Sequence, residues 1–354
     1  MALHIETWLA YDYTEPTDLL LQIEAAKVPG QRVIEHGIGI SPVEHFARMP
    51  GHDEIGERIW LRVGPGELRI DYHATVEIDR PVADVAALLG ALTGEDARDT
   101  ATARSKGHVE ADYTKFLDVA ALKGARIGVA RNLAGFHPAV DAAFNLAIKA
   151  LTAAGAVVVD PVTVPNLGKF DDAEMEVLLY EFKDGLNKYL AERGSTVTHT
   201  TLADLIAYNT KEAATEMPHF AQELFERAEK KGPLSDAAYK NALATCRKLV
   251  RTEGLDKVFA EHKLDALVAP SNGPAWPTDH VNGDRFTGGN TSYAAVAGYP
   301  SITVPMGYAS ELPLGLSFLG LAWTEGRLIG LAHSFEAATT ARHSPKFLPT
   351  VPIT

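Results

Sequence analysis

The amino-acid sequence has little or nothing of three features that define large classes of proteins. It has a single cysteine, Cys246, so no disulfide can form within the chain, which suits a reducing compartment. It has no apolar run that approaches the ~20 residues needed to cross a bilayer. It has 33 basic against 46 acidic residues and no block of lysine and arginine, so its formal net charge is -13. We therefore expect no nucleic-acid partner and no membrane partner.

The N-terminal stretch MALHIETWLAYDY also has no basic segment followed by an apolar core. It does not have the pattern of a secretory signal peptide, and we expect a cytoplasmic protein. With 354 residues, of which 46% are hydrophobic, the chain is long enough for two domains and a sizeable core.

Alternation of apolar and polar residues dominates the chain before residue 80. In GELRIDYHATVEID every second residue from Leu68 to Ile78 is apolar, which predicts a half-buried strand. LHIETWLAYDY alternates in the same way, and GERIWLRVGPG ends in a Gly-Pro-Gly turn. Residues 1–80 are therefore predicted to form a small antiparallel β unit.

The period lengthens after Arg80. PVADVAALLGALTG predicts a helix that begins at Pro81 and ends near Gly94. A short strand in LKGARIGVARN is followed by an amphipathic helix, which begins at Pro138 and ends at Gly155, and then by a second strand in AVVVDPVTVP. This order predicts a right-handed βαβ unit.

The rest of the chain continues the α/β pattern. Residues 171–263 are predicted to be helical, with breaks near Gly194, Pro218 and Gly232. DALVAP and SITVPMG follow as two buried strands, LPLGLSFLG as another strand, and EGRLIGLAHSFEAATTAR as a closing helix. The predicted fold of residues 81–354 is therefore a mixed sheet with flanking helices.

The motifs predict no cofactor and no metal site. GARIGVARNLAG lacks the G-x-G-x-x-G spacing that lets a backbone approach a pyrophosphate, and the sequence has no P-loop. Its 13 histidines include no His-Glu-x-x-His motif and no close Cys/His cluster. Cys246 shares a helical face with Leu243, Leu249 and Val250, which predicts a buried structural thiol.

The stretch FTGGNTSYAAVAGYPSITVPMG, residues 286–307, is the one Gly-rich segment that could present an exposed hydroxyl. A catalytic serine needs a base within hydrogen-bond reach and donors for the oxyanion, and the sequence has no G-x-S-x-G elbow. Glycines also serve simply to form a tight turn. The residues alone leave two interpretations open. The segment is a nucleophile loop built on Thr291 or Ser292, or a loop that lines a substrate site beside chemistry done elsewhere.

From about residue 80 to the C-terminus, the chain resembles the amidase signature family of carbon–nitrogen hydrolases. The stretches that carry the resemblance are RPVADVAALLGALTGEDARDTATA, LKGARIGVARN, LYEFKDGLNKYL, HKLDALVAPSNGPAWPTD, TGGNTSYAAVAGYPSITVPMGY and LPLGLSFLGLAWTEGRLIGLAHSFEAAT. They correspond to the C-terminal part of that family's domain. The resemblance implies the mixed α/β fold of the family, here in an incomplete form, and a site for amide hydrolysis.

The resemblance also implies a Ser–cisSer–Lys triad, which the family carries upstream of every stretch quoted above. The sequence has no Gly-Ser-Ser-Gly-Gly type run, so no catalytic residue can be assigned. Residues 286–307 correspond to a downstream segment of the family's domain that shapes the core and the substrate channel. The residues that this correspondence makes candidates for substrate binding are Trp276, Thr287, Gly288, Gly289, Asn290 and Ser292.

Residues 1–80 have a different likeness. LHIETWLAYDYTEPTDLLLQIEAA and PGQRVIEHGIGISP, with the spacing around PVADVAALL, are similar to the β-rich N-terminal region of bacterial transglutaminase-like proteins. In those proteins the region precedes a Cys-His-Asp core that is absent here, so Cys246 takes no role from it. The two likenesses meet near DRPVADVAALL, and our hypothesis is a chimera of a transglutaminase-like β module and the C-terminal part of an amidase domain.

Three functions follow as expectations. The first is an amidase-related protein that lacks the triad-bearing half and is inactive alone. The second is an active amidase with a site rebuilt around Thr291 and Ser292. The third is a non-catalytic module that keeps the substrate groove and binds a small amide or carboxylate. Loss of the other half also predicts exposed sheet edges or apolar surface at DALVAP and SITVPMG. Two outcomes are open: the β unit covers part of that surface, or the chain self-associates.

Overall fold

The computed structural model describes residues 2–25, 31–50, 57–78 and 81–343. The chain divides into two compact units. The smaller unit is Met1–Leu89 with Ala341–Ile353, and the larger unit covers Gly90–Thr340. Helix α1, Pro81–Leu92, contains the boundary between them.

The described part of the smaller unit has six β-strands before α1. They are β1 (Ala2–Tyr13), β2 (Thr17–Leu21), β3 (Gln31–Ser41), β4 (His45–Pro50), β5 (Glu57–Val63) and β6 (Gly66–Ile78). They form two sheets of three strands, in the orders β1-β6-β3 and β2-β5-β4, and every pair is antiparallel.

The core of the smaller unit follows from the alternation seen in the sequence. Along β6, Leu68 and Ile70 are buried while Arg69 and Asp71 are exposed, because successive side chains of a strand point to opposite faces. The buried side of β6 packs with Ile59 and other apolar residues of β5. The two sheets therefore share an apolar interior.

The described elements of the larger unit are helices and short strands. In chain order after α1 they are β7 (Arg126–Ala130), α2 (Pro138–Ala153), β8 (Val157–Val162), α3 (Asp171–Arg193), α4 (Leu202–Lys211), α5 (Ala213–Glu216), α6 (Glu223–Glu229), α7 (Ala237–Cys246), α8 (Asp256–His262), β9 (Ala266–Pro270), α9 (Thr291–Ala297), β10 (Ser301–Ala309), β11 (Leu312–Leu319) and α10 (Glu325–Thr339). A wider helical segment, Arg247–Leu255, links α7 to α8 with a kink at Gly254.

The five strands of the larger unit form one mixed sheet in the order β10-β11-β9-β7-β8. Strand β7 runs parallel to β8 and β9, whereas β11 runs antiparallel to both β9 and β10. The predicted strand–helix–strand unit is confirmed by β7, α2 and β8. The predicted mixed sheet with flanking helices is also confirmed.

The expectation that DALVAP forms an exposed sheet edge is wrong. This segment contains β9, which lies in the middle of the sheet between β11 and β7, and each of its five residues is buried. SITVPMG, by contrast, lies within β10, which is at the edge of the sheet and pairs only with β11 among the described strands. Sequence pattern marks both segments as strands, but the order of the strands depends on pairings that are distant along the chain.

Helix α2 shows how the sequence builds this unit. Its N-cap is His137, whose Nδ1 accepts a hydrogen bond from the Ala139 backbone N–H at 3.2 Å. Pro138 occupies the first turn, where a missing N–H costs nothing. The predicted apolar face is buried: Val140, Phe144, Ile148 and Leu151.

Two predictions about the helices and the thiol are also confirmed. The long helical stretch is interrupted where expected, and α3 ends next to Gly194, which has a φ of +54°. Cys246 is buried, and burial followed by the nearby Glu174 carboxylate raises the pKa of its thiol. Within the described ranges, no helix is both long and apolar enough to span a bilayer.

Candidate functional site

The candidate site lies where β9 ends and the chain leaves the sheet. Residues 271–273 run beside residues 287–290, with an antiparallel bridge between Asn272 and Gly289. The Gly273 N–H donates to the Gly288 carbonyl at 3.1 Å, and the Asn290 N–H donates to the Ser271 carbonyl at 3.2 Å. We call these two facing segments the loop foot. Residues 274–286 project from it as one closed loop.

The loop foot needs its glycines because the two segments approach very closely. Gly288 has a φ of +152°, and a Cβ atom built there would lie 2.5 Å from the Phe136 Cγ. A Cβ atom on Gly289 would overlap the side-chain oxygen of Asn272. The Gly-Gly pair therefore permits the close approach of the two segments.

Thr287 places a buried hydroxyl in the loop foot. Its Oγ1 faces the position that a Cβ atom would occupy on Gly273. In the described part of the chain this oxygen has no hydrogen-bond partner. An unpaired buried hydroxyl costs free energy, and a bound polar group that paired with it would remove that cost.

The side chain of Asn290 ties the loop foot to the sheet. Its Nδ2 donates to the Pro270 carbonyl at 2.6 Å. Asn290 also precedes α9, but its side chain makes no capping hydrogen bond there. Through this hydrogen bond, Asn290 fixes the loop foot to the sheet.

Thr291 and Ser292 occupy the first turn of α9, and both are exposed. Among the described residues, no lysine, histidine or carboxylate forms a hydrogen bond with either hydroxyl. The next residue, Tyr293, is buried and donates from its phenol to the Pro165 carbonyl at 2.8 Å. Burial raises the pKa of Tyr293, so this phenol stays neutral and anchors α9 below the site.

The projecting loop, 274–286, has its own internal contacts. Trp276 Nε1 donates to Asp284 Oδ1 at 3.1 Å, and the Trp276 ring meets the Phe286 ring edge-on with centroids 6.3 Å apart. Asp279 accepts hydrogen bonds from the backbone N–H groups of Val281 and Asn282, both at 2.9 Å. These contacts hold the loop in a defined shape.

Three hydroxyls join the loop foot to the sheet. Ser271 Oγ donates to Thr303 Oγ1 on β10 at 3.2 Å and lies 2.8 Å from Ser317 Oγ on β11. The Thr303 and Ser317 hydroxyls are 3.1 Å apart, so the three groups form a closed hydrogen-bonded triangle, the hydroxyl cluster. Gly315 makes room for it, because a Cβ atom there would lie 2.8 Å from Ser271 Oγ.

The structure brings most of the sequence-predicted site residues together. One side of the loop foot is formed by Thr287, Gly288, Gly289 and Asn290. Ser292 follows at the start of α9, and Trp276 lies in the projecting loop. Sequence reasoning missed the hydroxyl cluster. Thr303 and Ser317 become neighbours only through the register of β10 and β11, for which the sequence holds no local signal.

The comparisons with known proteins concern the part of the chain that carries this site. The sequence profile of the family described as Amidase matches residues 78–329. The chain belongs to the amidase family. Among curated amidases, a probable amidase of Arabidopsis thaliana is 36% identical over 278 residues, which cover 77% of this chain and 49% of that protein.

Solved amidase structures give the same result. The native peptide amidase of Stenotrophomonas maltophilia is 43% identical, with a TM-score of 0.70, over 78% of this chain and 55% of that chain. A peptide amidase in complex with the competitive inhibitor chymostatin is 44% identical, with a TM-score of 0.72, and 56% of its chain is covered. The present chain thus spans about half the length of the amidases that it matches.

Proposed function

We propose that this chain forms the substrate-lining part of an amidase-type site, binds small amides at the loop foot, and does not hydrolyse them by itself. The observation that carries this proposal is the unpartnered, buried Thr287 hydroxyl in a loop foot that is otherwise closed by backbone hydrogen bonds. A carboxamide offers both a donor and an acceptor to such a group. The complex of a related peptide amidase with chymostatin supports a peptide-like amide as the ligand class.

The absence of hydrolysis rests on the residues that the chain contains. The family's triad needs a Gly-Ser-Ser-Gly-Gly type run and a lysine, and the run does not occur in this sequence. Thr291 and Ser292 offer exposed hydroxyls, but no base among the described residues forms a hydrogen bond with them. Since the members of a catalytic triad act as a unit, loss of the run removes most of the rate acceleration.

Release of ammonia from simple amides and peptide amides tests the catalytic half of the proposal. We expect the purified chain to stay at the background rate, and Thr291→Ala and Ser292→Ala to match it. Turnover that disappears in either variant would instead establish a site rebuilt around these hydroxyls.

Isothermal titration calorimetry tests the binding half. Thr287→Val keeps the shape of the side chain and removes its hydroxyl, so we expect amide affinity to fall about tenfold, the value of one well-made hydrogen bond. Thr278→Val, which removes an exposed hydroxyl of the projecting loop, is the matched control and is expected to leave the affinity unchanged. Equal affinities in all three proteins would contradict a role for Thr287.

We further propose that the β-rich region of residues 1–80 is a transglutaminase-like module of separate origin, so that the chain is a chimera. In support, the amidase match begins only at residue 78. Amplification across the junction from the source genome is expected to give one product. Recovery of two separate genes would show that the fusion is artificial.

A further inference from the structure

The dipeptide Asn-Gly occurs twice in the sequence. Asn272-Gly273 belongs to the loop foot, and Asn282-Gly283 belongs to the projecting loop. The side-chain carbonyl of an asparagine is open to attack by the backbone nitrogen of the next residue. Glycine at that next position hinders the attack least, because it has no Cβ atom. The sequence marks both dipeptides alike, so any difference between them comes from the structure.

Asn282-Gly283 is exposed and is held only from within its own turn. Gly283 has a φ of +79°, and a Cβ atom built there would have open space around it. The Gly283 N–H donates to the Asp279 carbonyl at 3.0 Å. Asn282 Nδ2 donates to Asp279 Oδ2 at 2.8 Å. Both hydrogen bonds lie within residues 279–283, so a local opening of this turn frees the two groups that react.

Asn272-Gly273, by contrast, is held by the facing segment of the loop foot. The Gly273 N–H donates to the Gly288 carbonyl at 3.1 Å. The side-chain oxygen of Asn272 lies against Gly289, at the place that a Cβ atom would take. The Asn272 side chain has to leave Gly289, and the Gly273 nitrogen has to leave Gly288, before the two can react. That step separates the two segments of the loop foot, which costs more than the opening of one turn.

We propose that Asn282 is a site of spontaneous deamidation that loosens the projecting loop, and that the fold protects Asn272 from the same reaction. The Gly283 backbone nitrogen gives up its proton and forms a bond to Asn282 Cγ, while the bond from Cγ to Nδ2 breaks. The Nδ2 group takes up a proton and leaves as ammonia, and the product is a cyclic imide. Water then opens the imide at either carbonyl, which gives aspartate or isoaspartate at position 282. This inference does not depend on amide binding.

The loosening follows from the contact between Asn282 and Asp279. Hydrogen bonds from Asn282 and from the Val281 N–H hold the pKa of the Asp279 carboxyl below its ordinary value, so this carboxyl is ionised at neutral pH. Deamidation replaces the Nδ2 donor with an oxygen of a second carboxylate, which the first one repels. The isoaspartate product also lengthens the backbone of the turn. The turn loses a hydrogen bond to a charged group in both products, so the loop opens more often.

Peptide mapping by mass spectrometry tests the reaction. The full chain is incubated in mildly alkaline buffer, and the mass change from amide to carboxyl is followed at both asparagines. We expect Asn282 to convert more than about tenfold faster than Asn272, because separation of the loop foot breaks two backbone hydrogen bonds between segments. In concentrated urea the two rates are expected to become similar, since the fold no longer protects Asn272. Asn282→Gln, whose longer side chain would have to close a larger ring, is expected to stop conversion at position 282 and to leave Asn272 unchanged.

Two results would overturn the assignment of Asn282. Equal rates at Asn282 and Asn272 in the folded protein would show that the loop foot gives no protection. Conversion of Asn282 in urea alone, or in neither condition, would show that the turn of the folded protein does not permit the reaction.

Limited proteolysis tests the loosening of the loop. Arg285 is exposed in the projecting loop, so the rate of trypsin cleavage after it reports how often the loop opens. Asn282→Asp, which carries the charge of the product, is expected to be cleaved there about tenfold faster than the wild type, the factor for one hydrogen bond to a charged group. Asn241→Asp adds the same charge at an exposed position of α7 and is expected to match the wild type. Cleavage of Asn282→Asp at the wild-type rate would overturn the loosening.

Discussion

Single residues set the geometry of the loop foot, and glycine is the most constrained of them. Gly288 combines a positive φ with the close approach of the Phe136 ring. Either feature alone disfavours a side chain, and together they leave glycine as the only residue that fits without movement. The Gly-Gly pair could be predicted from the sequence to be a turn, but its aromatic neighbour could not, because Phe136 is distant along the chain.

Gly288→Ala is expected to lower the free energy of unfolding by about 3 kcal/mol, since backbone strain and overpacking each cost about 1–3 kcal/mol. Urea unfolding followed by far-UV circular dichroism measures the change. Gly185→Ala is the matched control, because Gly185 lies exposed in α3 with open space around it. That substitution is expected to add about 0.5–1 kcal/mol. A loss below about 1 kcal/mol for Gly288→Ala would contradict the close approach of Phe136.

At the scale of elements, α9 is fixed from both of its ends. Tyr293 anchors its first turn through the Pro165 carbonyl. Near its C-terminus, Arg251 Nε donates to the Ala297 carbonyl at 2.6 Å, and the Tyr299 phenol donates to Asp256 Oδ1 on α8, also at 2.6 Å. A rigid α9 keeps the loop foot in place, since Asn290 directly precedes this helix.

Because of the contact between Tyr299 and Asp256, the free energy of unfolding depends on pH in the alkaline range. Burial, together with the hydrogen bond and charge of Asp256, raises the pKa of Tyr299 from 10.0 to about 12. The neutral phenol is therefore favoured in the folded state. Its contribution is fully present below pH 10 and is lost as the pH rises toward 12, by on the order of 2 kcal/mol.

Tyr299→Phe is expected to be less stable than the wild type at pH 9, and this difference is expected to shrink at pH 11. Urea unfolding at both pH values measures it. Tyr239, whose pKa is also raised to about 12, titrates in both proteins, and its effect cancels in the comparison. A stability difference that stays constant from pH 9 to pH 11 would show that the pKa of Tyr299 is not raised in the folded protein.

How well the sequence predicts an element depends on how local its determinants are. Helix α2 carries its first-turn proline and its apolar face within one segment, and both were predicted correctly. The position of β9 in the middle of the sheet was not, because it depends on pairing with β7 and β11, two strands distant in sequence. The hydroxyl cluster was missed for the same reason.

At the scale of the whole molecule, the family assignment was predicted correctly from motifs spread along the chain. No single motif suffices, but together they correspond to the matched residues 78–329. The strand β10 remains at the edge of the five-stranded sheet, and no described strand pairs with its other side. We propose that this edge mediates self-association, because unpaired backbone groups of an edge strand are a template for another strand.

Sedimentation velocity over a range of protein concentrations tests this association. We expect the wild type to form larger species as its concentration rises. Ser301→Lys, which places a charge on the exposed start of β10, is expected to suppress them. Ala238→Lys adds the same charge at an exposed position of α7 and is expected to have no effect. Equal suppression by both variants would point to net charge rather than to the sheet edge.

The hydroxyl cluster connects β10 to the loop foot. Thr303 belongs to β10, and its hydroxyl accepts a hydrogen bond from Ser271, the residue from which the loop foot starts. A polypeptide that pairs with β10 would therefore perturb the ligand site without touching it. Thermodynamic linkage makes the coupling reciprocal, so an amide that favours one arrangement of these hydroxyls would strengthen or weaken the pairing by the same factor. The hydroxyl cluster would thus couple the pairing of β10 with another chain to amide binding at the loop foot.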